Sequence, residues 1–185
     1  VFVLHLCQVA MFVIVPGALL TFAEMPLDQH WKVYLPVVFG SFLVMLPIIV
    51  RGERRAKMKQ VFVGAIFLLM AVQIGFWQWL ENGPILIALL FAFFLAFNIL
   101  EASQPSLVSR LAPPAAKGAA LGVYNTLQAL GLACGGALGG WMQQHVGASS
   151  VFIFSAILSL IWLIIAHRMP ALPGRAAKKV EEFVD

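Results

Sequence analysis

Residues 84–104 read PILIALLFAFFLAFNILEASQ and carry one charged side chain, Glu101. As an α-helix this stretch extends about 31 Å, which matches the roughly 30 Å hydrocarbon thickness of a bilayer. A soluble helix of this length needs a polar face, and residues 84–97 offer none. The stretch therefore predicts a transmembrane helix.

Five more stretches of the same kind occur along the chain. They are residues 1–20, 31–50, 60–80, 117–142 and 149–166, separated by polar or Pro/Gly-rich breaks. The composition agrees, since 62% of the 185 residues are hydrophobic and 11% are charged, which is far from the usual soluble balance. We predict an all-α integral membrane bundle of six helices over residues 1–170, with a cytoplasmic tail or linker at 171–185. The breaks after the second and fourth spans favour two inverted repeats of three helices.

Positive charges fall in alternate loops. In chain order they are Arg51, Arg54, Arg55, Lys57 and Lys59, then Arg110 and Lys117, and then Arg168, Arg175, Lys178 and Lys179. The positive-inside rule places these three segments, and therefore both termini, in the cytoplasm. The net charge of +4 comes from short loops without interleaved aromatic residues. It indicates anionic lipid headgroups as partners rather than nucleic acid.

The fifth span is rich in glycine. Its glycines project as two stripes on roughly opposite sides of a helix: Gly118, Gly122, Gly136 and Gly140 form one, and Gly131, Gly135 and Gly139 form the other. Small residues at four-residue spacing allow close helix packing. We expect two neighbouring helices to approach this span, with helix bending during a functional cycle as the alternative.

Glu101 is the only acid within a predicted span, and Asn98 and Gln104 share its polar arc of about 120°. An ionisable side chain in a span is costly and usually functional. Its position about 25 Å along the helix places it near the cytoplasmic mouth, where it can stay hydrated and pair with Arg110. Two interpretations remain: a structural or gating residue, or a residue that binds protons.

Other polar side chains in the spans indicate either a ligand cavity or contacts between helices. Tyr124 and Gln128 lie on one stripe of the fifth span, and we choose them together with Gln73 as candidates for a substrate cavity. For Gln73, as for His5 and Gln8, hydrogen bonding between helices is the competing interpretation, because every polar group in lipid needs a partner.

Two segments carry a resemblance to a known family. The loop Glu53-Arg54-Arg55-Ala56-Lys57-Met58-Lys59 is similar to the acid, Arg, any, Gly, basic, any, basic end of the cytoplasmic loop signature of the major facilitator superfamily, with Ala56 in place of the glycine. Residues 101–113 and 118–125 resemble helix ten, its loop and helix eleven in bacterial drug:proton antiporters of that superfamily. The chain thus resembles the C-terminal half of such a transporter, helices seven to twelve.

The resemblance implies a function and partners. An N-terminal six-helix half would complete the substrate cavity, and a small solute and protons would move by alternating access. The residues implied in a cytoplasmic gate or in proton coupling are Glu101, Arg110, Glu53, Arg54 and Lys57. The resemblance also implies a bacterial inner membrane and, as in some related members, a soluble domain that continues from the tail.

Proton-coupled efflux of drugs or metabolites is the preferred function. Uptake of another solute, or a structural membrane subunit without transport of its own, are the alternatives. We expect no enzyme activity, cofactor or metal site, because the four histidines are scattered, Cys7 and Cys134 lack CxxC spacing, and Ser41 lacks the glycine pattern of a nucleophile elbow. Because Val1 already lies in an apolar run without signal-peptide features, we expect the chain to be a fragment.

Overall fold

The computed structural model describes residues 1–169, which form six α-helices. They are α1 Phe2–Phe22, α2 Trp31–Arg54, α3 Met58–Trp79, α4 Gly83–Leu111, α5 Lys117–His145 and α6 Ala148–His167. Five are long and apolar enough to cross a membrane, whereas α5 is long enough but less apolar. The described range contains no strand, so the predicted all-α bundle of six helices is confirmed. The predicted tail at 171–185 lies outside this range.

Local sequence explains both ends of α4. The side-chain oxygen of Asn82 caps the helix by accepting the backbone N–H of Ile85 at 3.1 Å. Pro84 in the first turn has no N–H to leave unpaired. At the other end, Pro113 disfavours the helical conformation of Ala112, which is extended with ψ of 139°. Asn82 and Pro84 therefore set the beginning of α4, and Pro113 sets its end.

The predicted end of the fourth span was wrong. The sequence placed it at Gln104, whereas α4 continues through Pro105 to Leu111. Pro105 has no N–H to bond the carbonyl of Glu101, four residues earlier, so it leaves a gap in the hydrogen bonds without ending the helix. The additional turns place Glu101 about 15 Å from the end of α4, deeper in the bundle than predicted.

The helices pair in a pattern with internal two-fold symmetry. The most extensive contacts join α1 to α5, α3 to α6, α3 to α4 and α2 to α4. Exchanging α1, α2 and α3 for α4, α5 and α6 converts the α1–α5 contact into the α4–α2 contact and leaves the α3–α6 contact unchanged. The two sets of helices run in opposite directions, because three crossings reverse the chain. This arrangement agrees with the predicted pair of inverted repeats.

The two ends of the bundle carry different side chains. One end, called the basic end below, holds Val1, the cations of residues 51–59 and 110–117, and Arg168. The opposite end carries tryptophans that are about half exposed, namely Trp31, Trp77, Trp79 and Trp141. Such rings belong at a membrane interface. Trp162 instead packs edge-on against Phe62.

The densest part of the core lies where α3, α4 and α6 meet. The ring of Phe76 lies 5.0 Å from that of Phe152 and 6.4 Å from that of Phe93, and all three residues are fully buried. Buried aromatic pairs contribute about 0.5–1.5 kcal/mol beyond the area they bury. Because lipid is as apolar as these side chains, this packing, rather than escape from water, holds the helices together.

One glycine stripe brings α1 and α5 into backbone contact. A Cβ added at Gly131 would lie 2.5 Å from the carbonyl oxygen of Phe2, and one at Gly135 would lie 2.5 Å from that of Leu6. Gly139 approaches α1 in the same way. These separations leave no room for a side chain, so the contact requires glycine.

The other glycine stripe contacts no close neighbour in residues 1–169. A Cβ at Gly118, Gly122 or Gly140 would have nothing within 4 Å, and one at Gly136 would make an ordinary contact with Val9 at 3.5 Å. For this range, the prediction that two neighbours approach the helix closely was wrong. The spacing of glycines shows where close packing is possible, but the position of α1 decides which stripe is used.

Gly135→Ala is expected to push α1 away from α5 and to destabilise the bundle by about 1–3 kcal/mol through overpacking. Gly118→Ala is the matched control, because its methyl group enters open space and improves helix propensity by about 0.8–1 kcal/mol. Thermal denaturation in detergent, followed by tryptophan fluorescence, should give a lower midpoint for Gly135→Ala only. Equal midpoints for the two variants would contradict the backbone contact.

Candidate functional site

Three polar side chains from three helices meet inside the bundle. Nε2 of His5 on α1 lies 3.3 Å from Oε2 of Glu101 on α4 and 2.8 Å from Nε2 of Gln128 on α5. The other ring nitrogen, Nδ1, lies 3.1 Å from the carbonyl oxygen of Val1. We call His5, Glu101 and Gln128 the polar cluster.

The partners of the His5 ring define its hydrogen bonds. A carbonyl oxygen only accepts, so Nδ1 donates its hydrogen to Val1. In the neutral ring, Nε2 then has a lone pair and accepts from the side-chain amide of Gln128. In the protonated ring, Nε2 carries a hydrogen and donates to the carboxylate of Glu101. One atom of the ring therefore faces both the amide of Gln128 and the carboxylate of Glu101.

The backbone contact between α1 and α5 positions the cluster. A Cβ on Gly131, about one turn from Gln128, would lie only 3.2 Å from the Cβ of His5. The His5 side chain is 3% exposed and its ring meets Phe97 edge-on at 5.7 Å, whereas Glu101 is 34% exposed. A carboxylate within a span is costly unless it is paired or hydrated. Here His5 is the paired group, and the partly exposed side chain of Glu101 leaves the carboxylate able to exchange protons with water.

The sequence predicted a different partner for Glu101. It placed the carboxylate near a helix end beside Arg110, whereas the structure pairs it with His5. Arg110 lies about 13.5 Å further along α4 and donates to Glu53 at 2.6 Å. His5 was considered only for contacts between helices, because no local pattern links a histidine in the first span with an acid in the fourth.

The Glu53–Arg110 ion pair joins the end of α2 to the end of α4. The two side chains are 23% and 21% exposed, so water screens them only in part. A cavity of about 370 Å³ lies beside the pair, and Arg54 also lines it. Lys57 is exposed in the following turn. Three of the predicted gate residues thus lie together at the basic end, and their action as a gate stays a prediction.

The turn after α2 contains a strained alanine. The N–H of Lys57 donates to the carbonyl of Gly52 at 2.8 Å, and the N–H of Ala56 donates to that of Glu53 at 3.1 Å. This is the Schellman pattern, which ends a helix with a left-handed residue, usually glycine. Ala56 holds that position with φ of 53°. The glycine of the loop signature thus corresponds to the residue with positive φ.

The predicted substrate residues do not meet in one cavity. Tyr124 lines a cavity of about 300 Å³ at the basic end, together with Gln104 and Phe62. We call it the basic-end cavity. Gln128 lies one turn deeper, in the polar cluster. Gln73 is fully buried and lies about 16 Å along α3 from Phe62. The role of all three in substrate binding stays a prediction.

A larger cavity of about 780 Å³ lies between α2 and α4, and we call it the α2–α4 pocket. Its lining residues are Trp31, Tyr34, Leu35, Val38, Phe39, Phe42 and Asn98. Asn98 donates a hydrogen bond to the hydroxyl of Ser41 at 3.0 Å. It also lies about one turn from Glu101 along α4, so the pocket reaches the level of the polar cluster.

Ala56→Gly is expected to raise the thermal midpoint of the protein. Glycine removes about 1–2 kcal/mol of steric strain from the left-handed conformation, which exceeds the roughly 0.4–1 kcal/mol that a more flexible unfolded chain subtracts. Ala112→Gly is the control, because Ala112 is also a loop residue but has φ of −73°. Denaturation curves in detergent should therefore shift upward for Ala56→Gly and downward for Ala112→Gly. The opposite order would contradict strain at Ala56.

Comparison with known proteins gives the family of the chain. The family model of the Major Facilitator Superfamily matches residues 1–183. The inner membrane transport protein YajR of Escherichia coli (strain K12) is 39% identical over 178 residues, which cover 96% of this chain and 39% of YajR.

Two other relatives carry more specific names. The probable galactarate/D-glucarate transporter GudP of Escherichia coli is 28% identical over 70% of this chain and 30% of its own length. The multidrug resistance protein MdtH of Aeromonas hydrophila is 29% identical over 66% of this chain and 28% of its own length. The chain thus spans well under half the length of these relatives. The match over nearly all its residues shows that it is an integral membrane protein of the Major Facilitator Superfamily of transporters.

Proposed function

We propose that this chain is the C-terminal half of a secondary transporter that exports lipophilic drugs or metabolites in exchange for protons. Its partner is an N-terminal six-helix half, and the two halves rock about a site near the bilayer midplane. The basic end and both termini face the cytoplasm, following the positive-inside rule. The membrane is a bacterial inner membrane, and the name of the relative YajR supports this location.

The observation that carries the proton coupling is the shared Nε2 atom of His5. When the ring is protonated, it forms a charged pair with Glu101. When the proton leaves to water, Nε2 accepts from Gln128 instead, and the carboxylate loses its cation. An unpaired carboxylate within a span is costly, so it attracts either a new proton or a cationic solute. This competition is the physical basis of exchange.

The α2–α4 pocket supports a large apolar solute. Five of its seven lining residues have purely apolar side chains or indole, and none of the seven carries a charge. Cavities of this size with few polar groups bind apolar ligands. The name of MdtH agrees with such solutes, whereas the dicarboxylates in the name of GudP need cationic ligands that this lining lacks. Efflux of apolar solutes is therefore preferred over uptake of organic acids.

The Glu53–Arg110 pair supports a conformational latch at the basic end. It ties α2 to α4 with a charge-assisted hydrogen bond of 2.6 Å, and Arg54 and Lys57 add positive charge beside it. In the proposed cycle these side chains hold one conformation closed and release it when the halves rock. They bind neighbouring helices, not the solute.

Glu101→Gln is expected to reduce proton-driven transport by about 10²-fold, because the amide cannot bind and release a proton. Exchange of labelled for unlabelled solute, which moves no net protons, should persist. The matched control is Glu81→Gln, which changes an exposed acid in the α3–α4 turn and should leave both activities unchanged. Proteoliposomes with an imposed pH gradient give both measurements. Full proton-driven transport by Glu101→Gln would remove the proton role.

Phe39→Ala is expected to weaken solute binding through the loss of a ring from the α2–α4 pocket. Loss of a buried aromatic contact is worth about 1.5–3 kcal/mol, which corresponds to a rise in KM of roughly tenfold or more. Phe67→Ala is the control, since Phe67 is similarly exposed on α3 but does not line this pocket. Transport of a lipophilic dye at varied concentration measures KM. Equal KM values for the two variants would exclude the pocket as the binding site.

The half-transporter proposal itself is tested by joining the chain to the six-helix half that precedes it in a full-length transporter. We call this protein the joined transporter. Dye efflux by the joined transporter but not by the chain alone supports the proposal. Efflux by the chain alone requires a dimer of six-helix units instead. Loss of efflux in both preparations would favour a structural subunit.

A further inference from the structure

We infer that the basic-end cavity is a water-filled route by which protons reach the polar cluster. The inference rests on the proposed proton coupling and adds the path that the proton takes. The cavity lies among α3, α4, α5 and α6 and is only partly enclosed, since Leu111 and Val123 in its lining are more than half exposed.

The position of the cavity suits such a route. Its outer lining includes Leu111, the last residue of α4, and Met169, just beyond the end of α6. These positions open to the basic end. From Leu111 the lining follows α4 inward to Gln104, a distance of about 10 Å.

The inner end of the cavity adjoins the polar cluster. Gln104 lies about one turn from Glu101 along α4, and Tyr124 lies about one turn from Gln128 along α5, so each is separated by roughly 5–6 Å of helix. Tyr124 is close enough to Glu101 for the two side chains to interact electrostatically. The cavity therefore ends beside the carboxylate.

Two polar side chains of the cavity wall need water as a hydrogen-bond partner. Gln104 and Tyr124 are each only 6% exposed, and neither the amide atoms of Gln104 nor the hydroxyl of Tyr124 has a hydrogen-bond partner within residues 1–169. An unpartnered buried polar group is costly, and ordered water satisfies it where space allows. At about 30 Å³ per water molecule, the 300 Å³ cavity has room for several.

The remaining lining explains why water, and not a charged solute, occupies the cavity. The other lining side chains are apolar or aromatic, among them Phe62, Leu107 and Trp162, and none of the lining side chains is charged. Dissolved ions would lose their hydration without gaining a ligand. Water needs only the two polar side chains as anchors, and a hydrogen-bonded column of water conducts protons.

The proton transfer at the inner end is balanced. A hydronium ion in the cavity gives its proton to Oε2 of Glu101, so one O–H bond breaks, one O–H bond forms and a neutral water molecule remains. The titratable side chains beside Glu101 are those of His5 and Tyr124. Release of the proton by the reverse reaction restores the carboxylate.

The first test measures access of water to the cavity wall. In the joined transporter, with Cys7, Cys134 and any other cysteines replaced, Leu107→Cys places a thiol on the wall, and Leu69→Cys places one in the packed core. Methyl methanethiosulfonate, which is small and uncharged, should modify Leu107→Cys and leave Leu69→Cys intact. Equal protection of both thiols would overturn the inference.

The second test measures the use of the route. The variant Gln104→Leu keeps the volume of the wall but removes one of its two water anchors, so the fold is expected to remain. Proton-driven dye transport should slow by about tenfold or more, while solute exchange without net proton movement continues. An unchanged rate would overturn the route but leave the proposed function standing. Absence of proton-driven transport in the unmodified joined transporter would instead reject the proposed function.

Discussion

The backbone contact between α1 and α5 is the interaction on which the rest of the molecule depends. Gly131 and Gly135 allow α1 to approach so closely that carbonyl oxygens of one helix face bare Cα atoms of the other. In lipid, such contacts and hydrogen bonds between helices supply the stability that the hydrophobic effect supplies in soluble proteins. The same approach brings His5 to Gln128 and, across the bundle, to Glu101. The α1–α5 contact thus both stabilises the bundle and positions the residues of the polar cluster.

The symmetry of the bundle makes the counterpart of this contact informative. The symmetry-related pair is α2 and α4, where Gly40 meets only the ring of Phe91, at 3.2 Å. The neighbouring residues Phe39 and Phe42 line the α2–α4 pocket. The two symmetry-related helix pairs therefore differ: α1 and α5 are in close backbone contact, whereas α2 and α4 border a pocket. In the proposed mechanism, residues at the α1–α5 contact take part in proton binding, and the α2–α4 pocket binds the solute.

Most of the fold could be predicted from the sequence, because long apolar stretches and alternating charged loops reflect the bilayer directly. The turn at Ala56 was not predicted as irregular, although Ala56 stands where the family signature has glycine. The errors concern relations between distant segments. Pro105 indicated the end of the fourth span, because proline usually ends a helix, yet α4 continues to Leu111. The two glycine stripes look equivalent until the position of α1 is known. Glu101 was recognised as unusual, but its partner His5 is joined to it only by tertiary packing.

The composition of α5 also affects how the protein is made. It is the one helix of the six described whose glycines and amides leave it less apolar than a typical membrane span, so its transfer from the translocation machinery into lipid is weakly favourable by itself. Its glycines gain contacts only when α1 is present. Since α1 is synthesised first, it must stay near the exit site until α5 emerges. Biogenesis of this bundle therefore depends on a pairing between segments more than a hundred residues apart.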